Sequence, residues 1–209
     1  MRVHERGNIL GGIVFAPTPG LHEGFILLVD FVSLYPSIIE EFNVCFTTFE
    51  LSDLNQVILP KSDANVGLLP SLIHKISAER NRIKQSLADD PDGKKTVHQT
   101  ALKLTMNSLY GYLAYEKSRF YAKHLAVYVA RKGRDILTEA KNLIEAMGYQ
   151  VIYGDTDSLM IKANCTTYQE TVNLAEEIKL RVNSLHKIIK LETEGKFKVV
   201  SMHLIIFMY

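Results

Sequence analysis

Cysteine, long apolar runs and net charge are all scarce in this sequence. Two cysteines, Cys45 and Cys165, cannot build a disulfide framework or, by themselves, a four-ligand zinc site. Each reads as a thiol of a reducing compartment, buried rather than reactive. The longest apolar runs, Phe25–Val29 and Leu204–Tyr209, fall far short of the ~20 residues that span a bilayer. The opening MRVHERGNIL lacks the basic-then-apolar pattern of a secretory signal. There is no internal repeat and no low-complexity tract. The net charge is only +1 over 209 residues, yet its distribution is uneven. Residues 1–60 carry −5, residues 61–134 carry +8 and residues 135–209 carry −2. A basic centre between acidic flanks is a mild pointer to a polyanionic partner; a solvated helical surface would look the same. With 47% hydrophobic and 22% charged residues, the chain has the composition of a folded globular protein of one or two domains.

Along the chain, residues 7–24 are rich in glycine and proline and read as loop around a short strand at Ile13–Phe15. Phe25–Val29 is a compact apolar run ending at Asp30, which fits a buried strand with a carboxylate at its exposed end. Pro36 sits where a helix can begin, so 37–42 reads as a short helix. Tyr35, preceding proline, is pushed toward extended geometry. Residues 47–70 read as irregular connection. Helices are expected over 72–87, opened by Pro70-Ser71, over 96–109, and over 119–147 with Gly148 placed to end the last. Asp89–Gly93 is a turn. Strands at 149–153 and 158–161 flank Gly154-Asp-Thr-Asp157 as a hairpin with carboxylates near its tip. Residues 168–189 form an amphipathic helix with Val172, Ala175, Ile178, Val182 and Leu185 on one side. The tail from Phe197 is apolar and shows no pattern. The order implies an α+β fold: an antiparallel sheet with covering helices, plus a helical hairpin over 71–109 able to stand apart.

Two features carry chemistry. Asp155 and Asp157 are two apart, which in an extended hairpin places both on one face. Adjacent carboxylates repel, and a hard divalent cation relieves that cost. An Asp-x-Asp pair alone is more often a turn former, but Asp30 at the end of a second strand could share the same sheet edge. Carboxylates from separate strands can hold two metals ~4 Å apart, the arrangement that clamps attacking and leaving oxygens in phosphoryl transfer. The second feature is basic. At 100° per residue, Arg80 falls inside the apolar arc of helix 72–87 and Lys84 just off its edge. This like-charge i,i+4 pair is mildly unfavourable unless an anion sits beside it; snorkelling is the plain alternative. Lys75 and Arg82 lie on the far side and read as solvated. On the next helix Lys103, Asn107 and Tyr110 share a face beside an expected core stripe of Val97, Ala101, Leu104 and Ser108.

Together these strings resemble the family B DNA polymerases. Asp30-Phe-Val-Ser-Leu-Tyr-Pro-Ser-Ile-Ile39 is similar to the family's DxxSLYPSII motif, and Lys103-Leu-Thr-Met-Asn107-Ser-Leu-Tyr110-Gly111 to its KxxxNSxYG motif. Tyr153-Gly-Asp-Thr-Asp-Ser158 is its YGDTDS motif unaltered. The segments 41–48 and 118–123 look most like the alpha branch, the eukaryotic replicative enzymes. The resemblance covers about 7–198. It implies a palm in two parts, 1–70 and 112–198, a fingers hairpin at 71–111 and a divergent tail at 199–209.

The resemblance also implies roles. Asp30 and Asp157 would bridge two Mg²⁺ ions, with Mn²⁺ a possible substitute. The Phe31 carbonyl would be a further ligand, and Asp155 would support the site. Ser33 and Leu34 would offer backbone N–H groups to a deoxynucleoside triphosphate. Tyr35 would lie under the deoxyribose and exclude a 2′-hydroxyl. Arg80, Lys84 and Lys103 would grip the phosphates, and Asn107 and Tyr110 would flank the nascent base pair. The implied reaction is two-metal nucleotidyl transfer to a primer 3′-hydroxyl in DNA replication, in the nucleus. Implied partners are a DNA or RNA–DNA primer–template, primase and accessory subunits, with no membrane. The family's lysine-rich KKKY stretch, its thumb, and its other domains do not appear. The expectation is therefore a palm-and-fingers fragment, or a non-catalytic remnant that binds metal and nucleotide without holding primer–template. A nucleotide-sugar glycosyltransferase would share an Asp-x-Asp site but leaves the other two motifs unexplained.

Overall fold

The computed structural model describes residues 2–6, 9–52, 57–58, 65–87 and 93–202. It divides into two compact units, one of Met1–Leu34 with Ala130–Tyr209 and one of Tyr35–Val129.

The first unit is built on a sheet of six strands: β1 (Arg2–Arg6), β2 (Ile9–Phe15), β3 (Gly20–Phe31), β6 (Gln150–Asp155), β7 (Ser158–Lys162) and β8 (Leu191–Met202). Their order is β1-β2-β6-β7-β3-β8, and every neighbouring pair is antiparallel. Alternation explains why β3 holds its place. Leu27, Val29 and Phe31 are at most 1% exposed and share one face, while Leu28 and Asp30 on the other face are half-buried. Each large side chain so buried contributes about 1.5–3 kcal/mol. Helix α5 (Tyr168–Asn183) packs on β3 and β8. It starts with a capping box: Thr167 Oγ1 accepts from the Glu170 amide at 3.2 Å, and the Glu170 carboxylate accepts from the Thr167 amide at 3.4 Å. Helix α4 (Lys123–Ala146) begins in the second unit and ends in the first, ahead of Gly148 as its sequence implied.

The second unit holds most of α1 (Leu34–Glu41), the two-residue strands β4 (Glu50–Leu51) and β5 (Val57–Ile58), and the helices α2 (Leu68–Gln85) and α3 (Lys94–Ala114), which pack on each other. Among the described residues no helix is long and apolar enough to cross a membrane. Both cysteines carry free thiols; Cys45 is buried, and its Sγ accepts from the Leu69 amide at 3.3 Å near the start of α2.

The α+β fold and the 150–162 hairpin stand as the sequence implied. Several details differ. Tyr35 is the second residue of α1 and not extended. In the first turn no amide has an intrahelical acceptor, so Pro36 breaks no bond there and the pre-proline preference gives way. Pro70 is likewise the third residue of α2, which starts at Leu68. The stretch 47–70 is not wholly irregular, since it contains β4 and β5. The tail is not patternless: β8 runs to Met202, pairing Val199 with Glu23 and Met202 with Gly20. Residues 203–209 and most of the 89–93 turn lie outside the described residues. On α5 the buried face is Thr171, Leu174, Ala175, Ile178 and Val182, with Leu185 exposed beyond the helix end. The expected α3 stripe is on the wrong side. Val97 and Leu104 are 70% and 64% exposed, whereas Met106 and Leu113 are buried. Two apolar stripes compete on this helix, and the one with larger side chains toward its C-terminal half is the one buried.

Candidate active site

Register places the carboxylates. Asp155 on β6 opposes Ser158 on β7, Ser158 opposes Asp30 on β3, and Asp30 opposes Glu192 on β8. Directly opposed residues project from the same face, so Asp155, Ser158, Asp30 and Glu192 form one row across four adjacent strands. Neighbouring strands lie about 4.8 Å apart, which puts two like charges, Asp30 and Glu192, side by side. Asp157 follows in the two-residue turn of the hairpin, where the Phe31 amide donates to its carbonyl at 2.8 Å. That bond ties the turn to the end of β3 beside Asp30. Asp30, Asp155 and Asp157 are half-buried.

The alternation argument for Asp155 and Asp157 does not apply as expected, because Asp157 lies in the turn and not in a strand. The turn is bent by Thr156, whose φ of +53° is rare for a β-branched residue. Its Oγ1 donates to Asp155 Oδ1 at 2.9 Å, and the Tyr153 hydroxyl donates to Asp155 Oδ2 at 3.3 Å. Burial first, then the Asp155 charge and that hydrogen bond, push the Tyr153 hydroxyl above the usual tyrosine pKa, so it stays a donor. Gly154 has no room for a side chain: a Cβ would stand 2.7 Å from both Leu159 and Phe15. Ser33, just past β3, also has positive φ, at +48°. The amide of Val32 before it donates to the Lys190 carbonyl at 2.9 Å.

The start of β8 is locked by Asn183. Its Oδ1 accepts from the Leu191 amide at 2.6 Å, its Nδ2 donates to the Leu191 carbonyl at 3.2 Å, and Lys190 Nζ donates to the Asn183 and His186 carbonyls. Replacing Asn183 with alanine strips both side-chain partners from the backbone of the buried Leu191, at a cost of about 1–3 kcal/mol. The expected result is a melting temperature lowered by roughly 3–8 °C in thermal denaturation followed by circular dichroism. An unchanged melting curve would show the clamp to be idle.

In the second unit, Arg80 is 8% exposed on the buried face of α2, among Leu69, Ile73 and Ile83, as its helical phase implied. Its Nε is buried without a hydrogen-bond partner. A buried guanidinium with an unmatched donor is costly and is suited to an anion. Lys84 and Lys103 are exposed, as is Asn107. Arg82 is held by Glu79 at 2.8 and 2.9 Å, in keeping with its reading as a solvated residue. Tyr35 and Tyr110, distant in sequence, meet with ring centroids 4.3 Å apart at 41°. Glu192 is the site residue that sequence reasoning missed; only the β3·β8 register reveals it. Among the described residues no group of three or more His, Cys, Asp or Glu side chains is arranged to hold a metal. A ligand set of two carboxylates and one carbonyl, as implied for Asp30, Asp157 and Phe31, falls below that count. Their oxygen chemistry and the neighbouring like charges of Asp30 and Glu192 fit a hard divalent cation.

Comparison with known proteins adds the following. The family described as DNA polymerase family B matches residues 2–204, past the point near Lys198 where the motif-level resemblance stopped. The chain is 43% identical over 204 residues to the DNA polymerase alpha catalytic subunit of Drosophila melanogaster, covering 94% of this chain and 14% of that protein. It is 42% identical over 209 residues to the DNA polymerase alpha catalytic subunit of Xenopus laevis, covering 93% of this chain and 14% of that one. It is 41% identical over 211 residues to the corresponding protein of Mus musculus, covering 93% of this chain and again 14% of its relative.

Proposed function

Because the chain belongs to DNA polymerase family B, we propose that it carries the nucleotidyl-transfer core of a DNA-directed DNA polymerase of the alpha type. The observation that carries this reading is the placement of Asp157 beside Asp30 by the Phe31–Asp157 backbone bond, within the row that also contains Asp155 and Glu192. On this reading 1–70 and 112–198 serve as palm, and 71–111, which holds most of α2 and α3, as fingers. A glycosyltransferase reading has no support beside the family match.

Asp30, Asp157 and the Phe31 carbonyl would hold Mg²⁺, which when bound supplies a lowered pKa to the primer 3′-hydroxyl and neutralises charge on the triphosphate. Asp155 stays in place through Tyr153 and Thr156 and supports the site without itself needing to touch a cation. The backbone N–H groups of Ser33 and Leu34 face the triphosphate. Arg80, with its buried unmatched Nε, Lys84 and Lys103 bind its β- and γ-phosphates and stabilise the charge that develops as pyrophosphate leaves. Tyr35 and Tyr110, in contact, form the sugar and base wall with Asn107 beside them. Substrates are a primer–template and deoxynucleoside triphosphates. Primase and accessory subunits are partners of the whole protein, and its place is the nucleus.

The chain spans about 14% of the length of the relatives it matches, and a second reading concerns what these residues do by themselves. On that reading it binds metal and nucleotide but cannot hold primer–template. Primer extension by the 209-residue chain with Mg²⁺ and all four deoxynucleotides separates the two. Extension supports the first. No extension, with Mn²⁺ still bound, supports the second. Neither extension nor binding sinks both.

A further inference from the structure

Gly12 on β2 lies against the turn that carries Asp155 and Asp157. A Cβ built on Gly12 would stand 2.3 Å from Thr156 Oγ1, 2.8 Å from Thr156 Cγ2 and 2.9 Å from Thr156 Cβ. All three atoms belong to a short, β-branched side chain whose backbone is already at φ +53° and whose Oγ1 is committed to Asp155. It has no flexible far end with which to yield. On both sides of Gly12 the same strand is fastened. The Thr156 amide donates to the Ile13 carbonyl at 2.9 Å, and Arg134 Nη1 on α4 donates to the Gly11 carbonyl at 2.7 Å. The β2·β6 ladder itself is short, pairing only Val14 with Asp155 and Phe15 with Gly154. The seat for Thr156 is therefore a main fastening of this end of the hairpin against β2.

We infer that Gly12 is a positioning residue: the missing side chain at 12 is the socket for Thr156, and through Thr156 it sets the carboxylates of Asp155 and Asp157. The inference rests on the reading that these aspartates serve a divalent cation. Arg134 secures the socket from behind by holding Gly11. None of these three residues needs to touch metal or substrate; they act on the groups that do.

The test uses the 209-residue chain with Mn²⁺ as the probe, titrated by electron paramagnetic resonance, and amide hydrogen exchange at position 156. In Gly12→Ala the Thr156 amide should exchange faster, because its bond to Ile13 is displaced, and Mn²⁺ should bind about 10–100-fold more weakly, the usual loss when a group supporting the ligands is disturbed. The control is Thr156→Gly, which empties the socket from the other side and favours the positive φ. In that background Gly12→Ala should change Mn²⁺ affinity by less than about twofold, a non-additivity that direct contact produces. If Gly12→Ala alone fails to fold, the double variant should fold; its failure to do so overturns the proposal. Equal Mn²⁺ affinity in wild type and Gly12→Ala, or equal losses in the two backgrounds, also overturns it. A wild-type chain that binds no Mn²⁺ sinks the metal-site reading, and this inference with it. A wild type that binds and a Gly12→Ala variant that binds as well sinks the inference alone.

Discussion

Asp157→Asn is expected to abolish templated primer extension in the full-length context, by on the order of a thousandfold or more, since loss of one charge from a two-metal site removes several kcal/mol of transition-state stabilisation. The change is nearly isosteric. The Asp157 carbonyl that accepts from the Phe31 amide is backbone and remains, so the hairpin should keep its place and the melting temperature should move little. That pairing of outcomes is what separates a chemical role from a structural one. Mn²⁺ affinity should fall together with extension. Extension at an undiminished rate would remove Asp157 from the site, and with it the assignment of the YGDTDS turn as the metal cage.

Tyr35→Ala is expected to act on selectivity more than on rate. The Tyr35 ring is half-buried and rests 4.3 Å from the Tyr110 ring, a contact that fixes where its edge stands. A fixed edge can reject a ligand that differs by one hydroxyl, because the clash acts against that ligand only. Removing the ring should raise ribonucleotide incorporation relative to deoxynucleotide incorporation by on the order of 100-fold, read as the ratio of the two kcat/KM values. Tyr35→Phe, which keeps the ring, should leave the ratio near wild type. Tyr110→Ala should relax it partially by loosening the support. Unchanged discrimination in Tyr35→Ala would count against a steric gate and leave Tyr35 as a packing residue of α1.

How much of this was legible beforehand depends on the range of the interaction. Elements governed by near neighbours were readable: the 150–162 hairpin from its apolar runs around Gly-Asp-Thr-Asp, the end of α4 from Gly148, and the burial of Arg80 from its helical phase. Asp30 as a strand-end carboxylate was readable too, from the run before it. What resisted was set by competition or by distance. The periodicity of α3 marks two apolar stripes, and only packing decides that Met106 and Leu113 go inward while Val97 and Leu104 stay out. Tyr35 obeys the first turn of α1 over its own pre-proline preference. Glu192 could not be found at all from its neighbours, since nothing local to Lys190–Lys198 says that this strand lies against β3 with Glu192 opposite Asp30. Gly12 was equally silent. A glycine in a Gly-rich stretch reads as loop until the atom it must avoid is known to be Thr156.

The strand order has a bearing on how such a chain comes into being. β3, which bears Asp30, is synthesised well before both its neighbours, since β7 and β8 come from the last third of this sequence. While the intervening helices emerge from the ribosome, an apolar strand with two open edges has to wait, and open edges are what stray strands pair with. The row of carboxylates cannot exist in that interval, because Ser158 and Glu192 have yet to arrive on either side of Asp30. Closure of this non-local sheet is a slow kind of folding event, and in this chain it coincides with the birth of the site. A nascent chain released before residue 191 would expose the β8-side edge of β3. It would be at once aggregation-prone and short of Glu192, so a quality-control system that senses the open edge would also discard a chain whose row is incomplete.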